Sequence, residues 1–362
     1  MRKVAVIMAG GSGAKFWPRT TEQNPKPFIH LFGEGTMIQN TVFRLLPYFA
    51  AEDVYIVTNE GYKDFLSEQL PIIPTENIIL EPFARNTAPC LGLASMYLSQ
   101  KYPDDTIMMA FPADHVINNV REFHNSLDIA SGVAFDKEGI VTIGIMPTRP
   151  EPSFGYVQIR ETREGIEDYF DKGVRTTTTF AEKPDINTAR RFINSGDFLW
   201  NSGMFIWRLD VFTKKFSEFL PDHAALFKPV QKTFGSDAFA PALQLAYRQM
   251  ESVSIDYGIL EKCEDVFVVE STFNWSDLGS WDELFRLSMK DARNNFIEGD
   301  VIALNSSNSL ISAHNKFIGA VGVDNLIIID SEDSLLICKR GHSEEIIELV
   351  DYLRRKQINR YL

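Results

Sequence analysis

Short apolar runs alternate with segments of helical period along the first two thirds of the chain. Val4–Met8, Val54–Thr58, Asn77–Leu80, Thr106–Phe111 and Ile140–Ile145 are brief and apolar, as strands buried on both faces are. Between them, Met37–Leu46, Tyr62–Leu70, Ala88–Gln100 and Val120–Phe135 read as helices. This alternation admits few folds. It predicts an α/β domain whose sheet is mostly parallel and covered by helices. Strands near Gly155–Ile159, Thr176–Ala181 and Gly203–Arg208 interrupt the pattern and predict an elaborated sheet carrying the substrate side of a site.

The pattern changes near Asp291. Val301–Leu304, Leu310–Ser312, Ile318–Val323, Leu326–Ile329 and Leu335–Cys338 are short β runs separated by turn residues such as Asn305-Ser306-Ser307-Asn308 and Asp324-Asn325. Regular short strands predict a small all-β module, a solenoid or a sandwich fragment. A last helix is expected with Ser343 as N-cap and Ile346, Ile347, Val350 and Leu353 on one stripe. The expected division is residues 1–290 and 291–362, and 362 residues fit two domains on length alone.

Lys and Arg number 36 against 49 Asp and Glu, a net charge of −13. That balance argues against a nucleic-acid surface but leaves room for a local phosphate pocket. Cys90, Cys263 and Cys338 form no CxxC pair, so a structural zinc is not expected. The N-terminal apolar stretch is too short for a leader, and no run approaches the roughly 18 residues of a membrane span. A cytoplasmic protein with no membrane partner is the expectation.

The first strand runs into Ala9-Gly10-Gly11-Ser12-Gly13-Ala14-Lys15-Phe16-Trp17-Pro18. Glycines at a strand's carboxyl end let backbone N–H groups approach phosphate oxygens. The spacing fails both the P-loop and the GxGxxG fingerprint, so the cradle is of another type. Lys15 and Lys26 flank the loop, with Pro25 and Pro27 expected to hold Lys26 in extended backbone. Asp114, in Phe111-Pro112-Ala113-Asp114-His115, follows a strand and falls at the sheet edge where α/β ligands bind. Asp277, in Trp275-Ser276-Asp277-Leu278-Gly279, supplies a second carboxylate, its ordinary alternative being an N-cap for Trp281–Leu287. Two carboxylates with substrate phosphates suit Mg²⁺. Glu182, Lys183 and Asn201 suit sugar hydroxyls and a phosphate, and the turn at Asn86-Thr87-Ala88 suits a base edge.

Together these stretches resemble the bacterial mannose-1-phosphate guanylyltransferases of the sugar-nucleotidyltransferase superfamily. The matching segments are Ala9–Pro18, Asn24–Phe28, Glu81–Pro89, Phe111–His115, Ile143–Val157, Glu182–Asp185, Trp200–Trp207, Ser254–Lys262 and Trp275–Trp281. They span nearly the whole chain in the family's order. The resemblance implies a Rossmann-like nucleotidyltransferase fold with a small, left-handed β-helix-like C-terminal module, in a short form without the fused cupin-like isomerase domain. It implies transfer of GMP from GTP to mannose 1-phosphate, by in-line attack of the sugar phosphate on the α-phosphorus. Gly10, Gly11, Gly13 and Lys15 would cradle the triphosphate, Asn86, Thr87, Ala88 and Pro112 would complete the nucleotide site, and Lys15 and Lys26 would neutralise phosphates. Asp114 and Asp277 would hold Mg²⁺, and Gly155, Glu182, Lys183 and Asn201 would line the sugar-phosphate pocket.

Two positions depart from the family pattern. Lys15 stands where the family usually has Arg, which keeps the charge and loses the bidentate fork. Pro27 stands where it usually has Gln, removing an amide and a backbone donor. A different sugar 1-phosphate or nucleotide, or a non-catalytic sugar-nucleotide sensor, are the competing readings. No motif encodes an oligomeric state; a homodimer is compatible with the β module serving as an interface, and a lid is its alternative role.

Overall fold

The computed structural model describes residues 1–11 and 13–362; Ser12 of the glycine-rich loop lies outside the described residues. Residue contacts divide the chain into two compact units. The first comprises Met1–Gly10, Thr41–Ala113 and Ile117–Trp275, and the second Gly11–Asn40, Asp114–Val116 and Ser276–Leu362. This grouping differs from a division at residue 290, because the signature loop, Asp114 and Asp277 join the tail. The reason is a shared core: Phe16, Trp17, Leu31, Leu278 and Trp281 are buried with Leu310, Ile327, Ile329, Leu336, Ile346 and Val350.

The first unit is built on β1 (Lys3–Ala9), β2 (Val54–Asn59), β3 (Ile78–Glu81), β4 (Ile107–Pro112), β6 (Ile140–Ile145), β7 (Gly155–Arg160), β8 (Val174–Glu182), β9 (Phe198–Arg208) and β10 (Val266–Ser271), with the two-residue β5 (Val116–Ile117) between β4 and β6 in the chain. The sheet order is β3-β2-β1-β4-β9-β6-β10-β8-β7. Pairings β1–β2, β1–β4, β2–β3 and β6–β10 are parallel. Only β8 and β9 run against the rest, so the sheet is mostly parallel in strand direction. The central strands are apolar because both faces are covered: Val4, Val6, Ile56 and Met108 have no exposed surface.

Helices α1 (Met37–Leu45), α2 (Lys63–Gln69), α3 (Thr87–Leu98) and α4 (Val120–Lys137) fall where the apolar periodicity places them. Next in the chain are α5 (Glu167–Phe170), α6 (Ile186–Ser195), α7 (Leu209–Phe219), α8 (Pro221–Gln231), α9 (Phe239–Gln249) and α10 (Ile255–Gly258). Helix α4 packs on β6, β9 and β10, and α7, α8 and α9 extend the cover begun by α3.

The two-residue β11 (Trp275–Ser276) falls at the chain boundary between the units, and the second unit carries α11 (Trp281–Leu287), β12 (Phe296–Glu298), β13 (Val301–Leu304), β14 (Leu310–Ser312), β15 (Ile318–Val321), β16 (Leu326–Asp330), β17 (Leu335–Lys339) and α12 (Ile346–Arg355). Strands β12, β14 and β16 stack in parallel, as do β13 and β15, which is the ladder of a β-solenoid and not of a sandwich. Asn305, Asn308 and Asn325 take positive φ at the corners, a conformation Asn tolerates. Ser343 does not cap the last helix. A 3₁₀ turn at Ser343–Glu345 precedes α12, and the Ser343 hydroxyl donates instead to Asp282 Oδ2 at 2.6 Å.

Candidate active site

The signature loop turns on two left-handed glycines, Gly11 (φ 85°) and Gly13 (φ 71°). At Gly13 the requirement is double. A Cβ there would lie 2.4 Å from Lys26 Cβ, so the bare backbone is what lets the lysine stem pass. Lys26 does not sit in extended backbone. It opens a 3₁₀ turn over Lys26–Phe28, and its side chain is only 9% exposed. Burial and the Gly13 contact remove it from the class of solvated surface lysines.

The buried ammonium has defined partners. Lys26 Nζ donates to Asp114 Oδ2 at 2.7 Å and to the Asp277 carbonyl at 3.0 Å, and lies 5.4 Å from the Phe16 ring centroid. Burial alone would push the Asp114 carboxyl up, but the charges of Lys26 and His115 hold it below the ordinary carboxylate range. Asp277 behaves in the opposite way. Burial pushes it up to about 6, the negative charges of Asp114 and Glu283 add to that, and Lys26 and Lys15 only partly offset them. Asp277 is not a helix cap: Ser280 fills that role, its hydroxyl accepting from the Glu283 N–H at 3.3 Å. Lys15 is ion-paired with Glu344.

The Asp114 charge adds to the proton affinity of Asp277 beside an embedded ammonium, and the second carboxyl is the one that added positive charge would relieve. Among the described residues no group of three or more His, Cys, Asp and Glu is placed to hold a metal ion. Asp114 and Asp277 are the carboxylates of the cluster that could hold a hard cation, whose remaining ligands would be phosphate oxygens and water.

A second polar cluster lies in the first unit. Asn201, on β9, pairs with Gly144 of β6 on one side and Gly155 of β7 on the other. Its amide oxygen accepts from Thr142 Oγ1 at 3.0 Å and the Gly203 N–H at 3.2 Å, and its Nδ2 donates to Asp256 Oδ1 at 2.8 Å. Glu182 stands close by, since a Cβ on Gly155 would lie 2.5 Å from Glu182 Oε2. Burial first, then the Glu182 charge, raise the Asp256 carboxyl to about 6. Lys183 is exposed, takes positive φ (49°), and pairs with Glu182 at 3.2 Å.

The turn before α3 is laced to residues 253–255. Val253 N–H donates to the Arg85 carbonyl, Ala88 N–H to the Val253 carbonyl and Ile255 N–H to Thr87 Oγ1. Asn86, exposed at φ 67°, accepts from the Thr87 N–H at 2.8 Å. Ala88 is fully buried, leaving Asn86 and Thr87 as the side chains facing outward.

A nucleotidyl transferase family model matches residues 4–294, and a mannose-phosphate isomerase/GMP-like β-helix domain model matches 299–353. A mannose-1-phosphate guanylyltransferase of Escherichia coli is 35% identical over 98% of this chain and 75% of its own length. One of Salmonella muenchen is 35% identical over 99% of this chain and 75% of its own. The chain belongs to the mannose-1-phosphate guanylyltransferase family. A solved structure from Thermus thermophilus, described as a mannose-1-phosphate geranyltransferase, superposes with a TM-score of 0.87 at 28% identity, over 98% of this chain and 100% of that one.

Within this family frame, the structure joins Gly11, Gly13, Lys15, Lys26, Asp114 and Asp277 in one unit. It places Gly10, Asn86, Thr87, Ala88, Pro112, Gly155, Glu182, Lys183 and Asn201 in the other. Pro112 closes β4, level with Met8 of β1. Sequence reasoning missed Asp256 and Thr142. The signal was present in Ser254–Lys262, where an aspartate follows a capping serine, but nothing local tells that its carboxylate reaches Asn201. It also missed Glu344 as the partner of Lys15, a pairing across more than three hundred positions of sequence. No helix among the described residues is long and apolar enough to cross a membrane.

Proposed function

We propose that the chain transfers GMP from GTP to α-D-mannose 1-phosphate, forming GDP-mannose and releasing pyrophosphate. A phosphate oxygen of the sugar phosphate forms the new bond to the α-phosphorus, and the bond from that phosphorus to the β-phosphate oxygen breaks. No group on the protein needs to be modified covalently, so positioning and charge neutralisation supply the rate. The observation that carries the reading is the Lys26–Asp114–Asp277 cluster, an embedded ammonium bonded to the Asp114 carboxylate and the Asp277 backbone carbonyl, built from family segments in family order.

Asp114 and Asp277 would hold Mg²⁺, which when bound neutralises charge on the triphosphate. Lys26 keeps Asp114 ionised, and its ammonium faces the phosphates from within a buried site. The backbone N–H groups of Gly11 and Gly13 are directed by their left-handed turns to phosphate oxygens. Lys15 adds charge once it leaves Glu344. Asn86 has an amide NH₂ to offer a base carbonyl. Gly155, Glu182, Lys183 and Asn201 receive the sugar phosphate.

The test is pyrophosphate release by purified protein with Mg²⁺, crossing GTP, ATP, UTP and CTP with mannose 1-phosphate and glucose 1-phosphate. Fast release with GTP and mannose 1-phosphate alone is expected. Release with another pair would keep the chemistry and replace the substrate. Tight GTP binding with no release from any pair would overturn the enzyme reading in favour of a sensor.

A further inference from the structure

We propose that Asp256 is a positioning residue for the sugar: it locks the Asn201 amide so that one N–H points to a substrate hydroxyl. This rests on the reading that Asn201 lines the sugar-phosphate pocket.

An asparagine amide has two ends of nearly equal shape, and only its partners decide which end presents donors. Here both ends are decided. The Gly203 N–H can only donate, so it fixes Oδ1 at 3.2 Å. The Asp256 carboxylate fixes Nδ2 at 2.8 Å. Thr142 supports the same sense from 3.0 Å, although its single hydroxyl hydrogen is shared with the Met204 carbonyl at 3.1 Å. One hydrogen of Nδ2 then has no partner among the described residues. The residues paired with Asn201 on both flanking strands are glycines, and the space over Gly155 holds the Glu182 carboxylate, whose Oε2 lies 2.5 Å from where a Cβ would be.

Charge says which part of the substrate belongs there. Glu182 faces Asp256 closely enough to raise its proton affinity, and Glu261 feels the same Glu182 charge. The facing cations are Lys183, itself paired with Glu182, and Lys262, which acts on Glu261. Three carboxylates against two lysines disfavour a phosphate and favour the hydroxyl face of a neutral ring. Asn201 and Asp256 therefore mark the end of the pocket that reads sugar hydroxyls, and the phosphate is directed away from it.

The test compares Asp256→Ala, Asp256→Asn, Asn201→Ala and the double variant Asp256→Ala/Asn201→Ala in full steady-state kinetics. Asp256→Ala is expected to raise KM for mannose 1-phosphate about tenfold, the loss of roughly one well-placed hydrogen bond, with KM for GTP unchanged. Asp256→Asn keeps an acceptor oxygen for Nδ2 and is expected to restore most of that loss. The double variant should be no worse than Asn201→Ala alone, because a residue that acts only through Asn201 has nothing left to position. The unchanged KM for GTP shows that the variants are folded. If Asn201→Ala raises KM for the sugar and Asp256→Ala does not, the positioning role is wrong and the pocket stands. If the two losses multiply in the double variant, Asp256 acts independently of Asn201 and the proposal is overturned. If Asn201→Ala changes nothing, the pocket reading itself has failed.

Discussion

The two polar clusters share one electrostatic feature and resolve it differently. Each holds an aspartate raised to about 6, mainly by burial and next by a neighbouring carboxylate: Asp277 beside Asp114, and Asp256 beside Glu182. Around Asp277 the compensating group is Lys26, buried and fixed by Gly13. Around Asp256 it is a neutral amide, with the nearest lysine exposed. A raised carboxyl is therefore not by itself a sign of one chemistry. On the proposed reading, the embedded ammonium belongs to the phosphate and cation end of the site, and the Asn201 amide to the end that meets uncharged hydroxyls.

The sharpest way to break this contrast is to remove the ammonium. Lys26→Ala should lower kcat/KM on the order of 10²–10³-fold, the usual loss when one preorganised donor to a reacting phosphate or oxyanion is deleted. Wild-type kcat/KM in that variant would refute its role. Gly13→Ala should follow the same direction, since the new Cβ falls on the Lys26 stem and the φ of 71° is strained for any side chain.

Asp277→Asn comes next. It removes one of the two carboxylates and should reduce activity about a hundredfold while weakening the dependence of activity on Mg²⁺ concentration. A metal titration in which wild type and variant saturate at the same concentration would remove Asp277 from the metal site. The matching change in the other cluster, Asp256→Asn, is expected to leave the metal titration where it is.

A third buried carboxyl has no ion-pair partner among the described residues. Glu81 accepts from Tyr247 Oη at 3.0 Å, and burial raises it to about 7, with Tyr247 and Cys90 only partly offsetting the rise. Between pH 4.5 and about 7 the folded chain holds a proton there that the unfolded chain has lost. Its contribution therefore grows as pH falls through about 7 and is lost as pH rises again. Glu81→Gln should remove this pH dependence, a change on the order of 1–3 kcal/mol between pH 8 and pH 5. Denaturant unfolding of both proteins at the two pH values measures it, and parallel pH profiles would show that Glu81 is not the group responsible.

What can be read in advance follows the range of the interactions. Strands β1, β2, β4 and β6 are legible because both-face burial writes itself as a continuous apolar run, and the five tail strands because turn residues punctuate them. β12 is not, since Phe296–Glu298 is three residues long and holds its place by pairing with β14. That Lys26, Asp114 and Asp277 belong to one cluster is legible by motif. The 3₁₀ turn at Lys26 is not, because proline rules disfavour helical backbone before Pro27, and the close approach of the Lys26 stem to Gly13 is a long-range contact that no local rule carries. Ser343 has the look of a cap in the sequence, but a carboxylate from about sixty residues away, Asp282, takes its hydroxyl.

The smallest effect tests the edge of the phosphate cluster. Lys15 is ion-paired with Glu344, and the two side chains are 28% and 56% exposed. A pair this open to water is worth roughly 0.2–1 kcal/mol. If Lys15 serves the triphosphate, it must give up that pair when GTP binds, so Glu344 competes with the nucleotide. Glu344→Gln should then lower KM for GTP by a factor between about 1.4 and 5, the range that this energy corresponds to. High salt should erase the difference, because screening weakens the pair before the nucleotide arrives. Lys15→Arg in the same background separates charge from geometry. A further fall in KM would mean that the planar fork normal to the family grips the phosphates better, and no change would mean that Lys15 acts as a point charge whose availability Glu344 sets. A Glu344→Gln protein with unchanged KM at low salt would leave Lys15 as a strut between loop and tail, and Lys26 as the one buried cation of the cluster that the triphosphate meets.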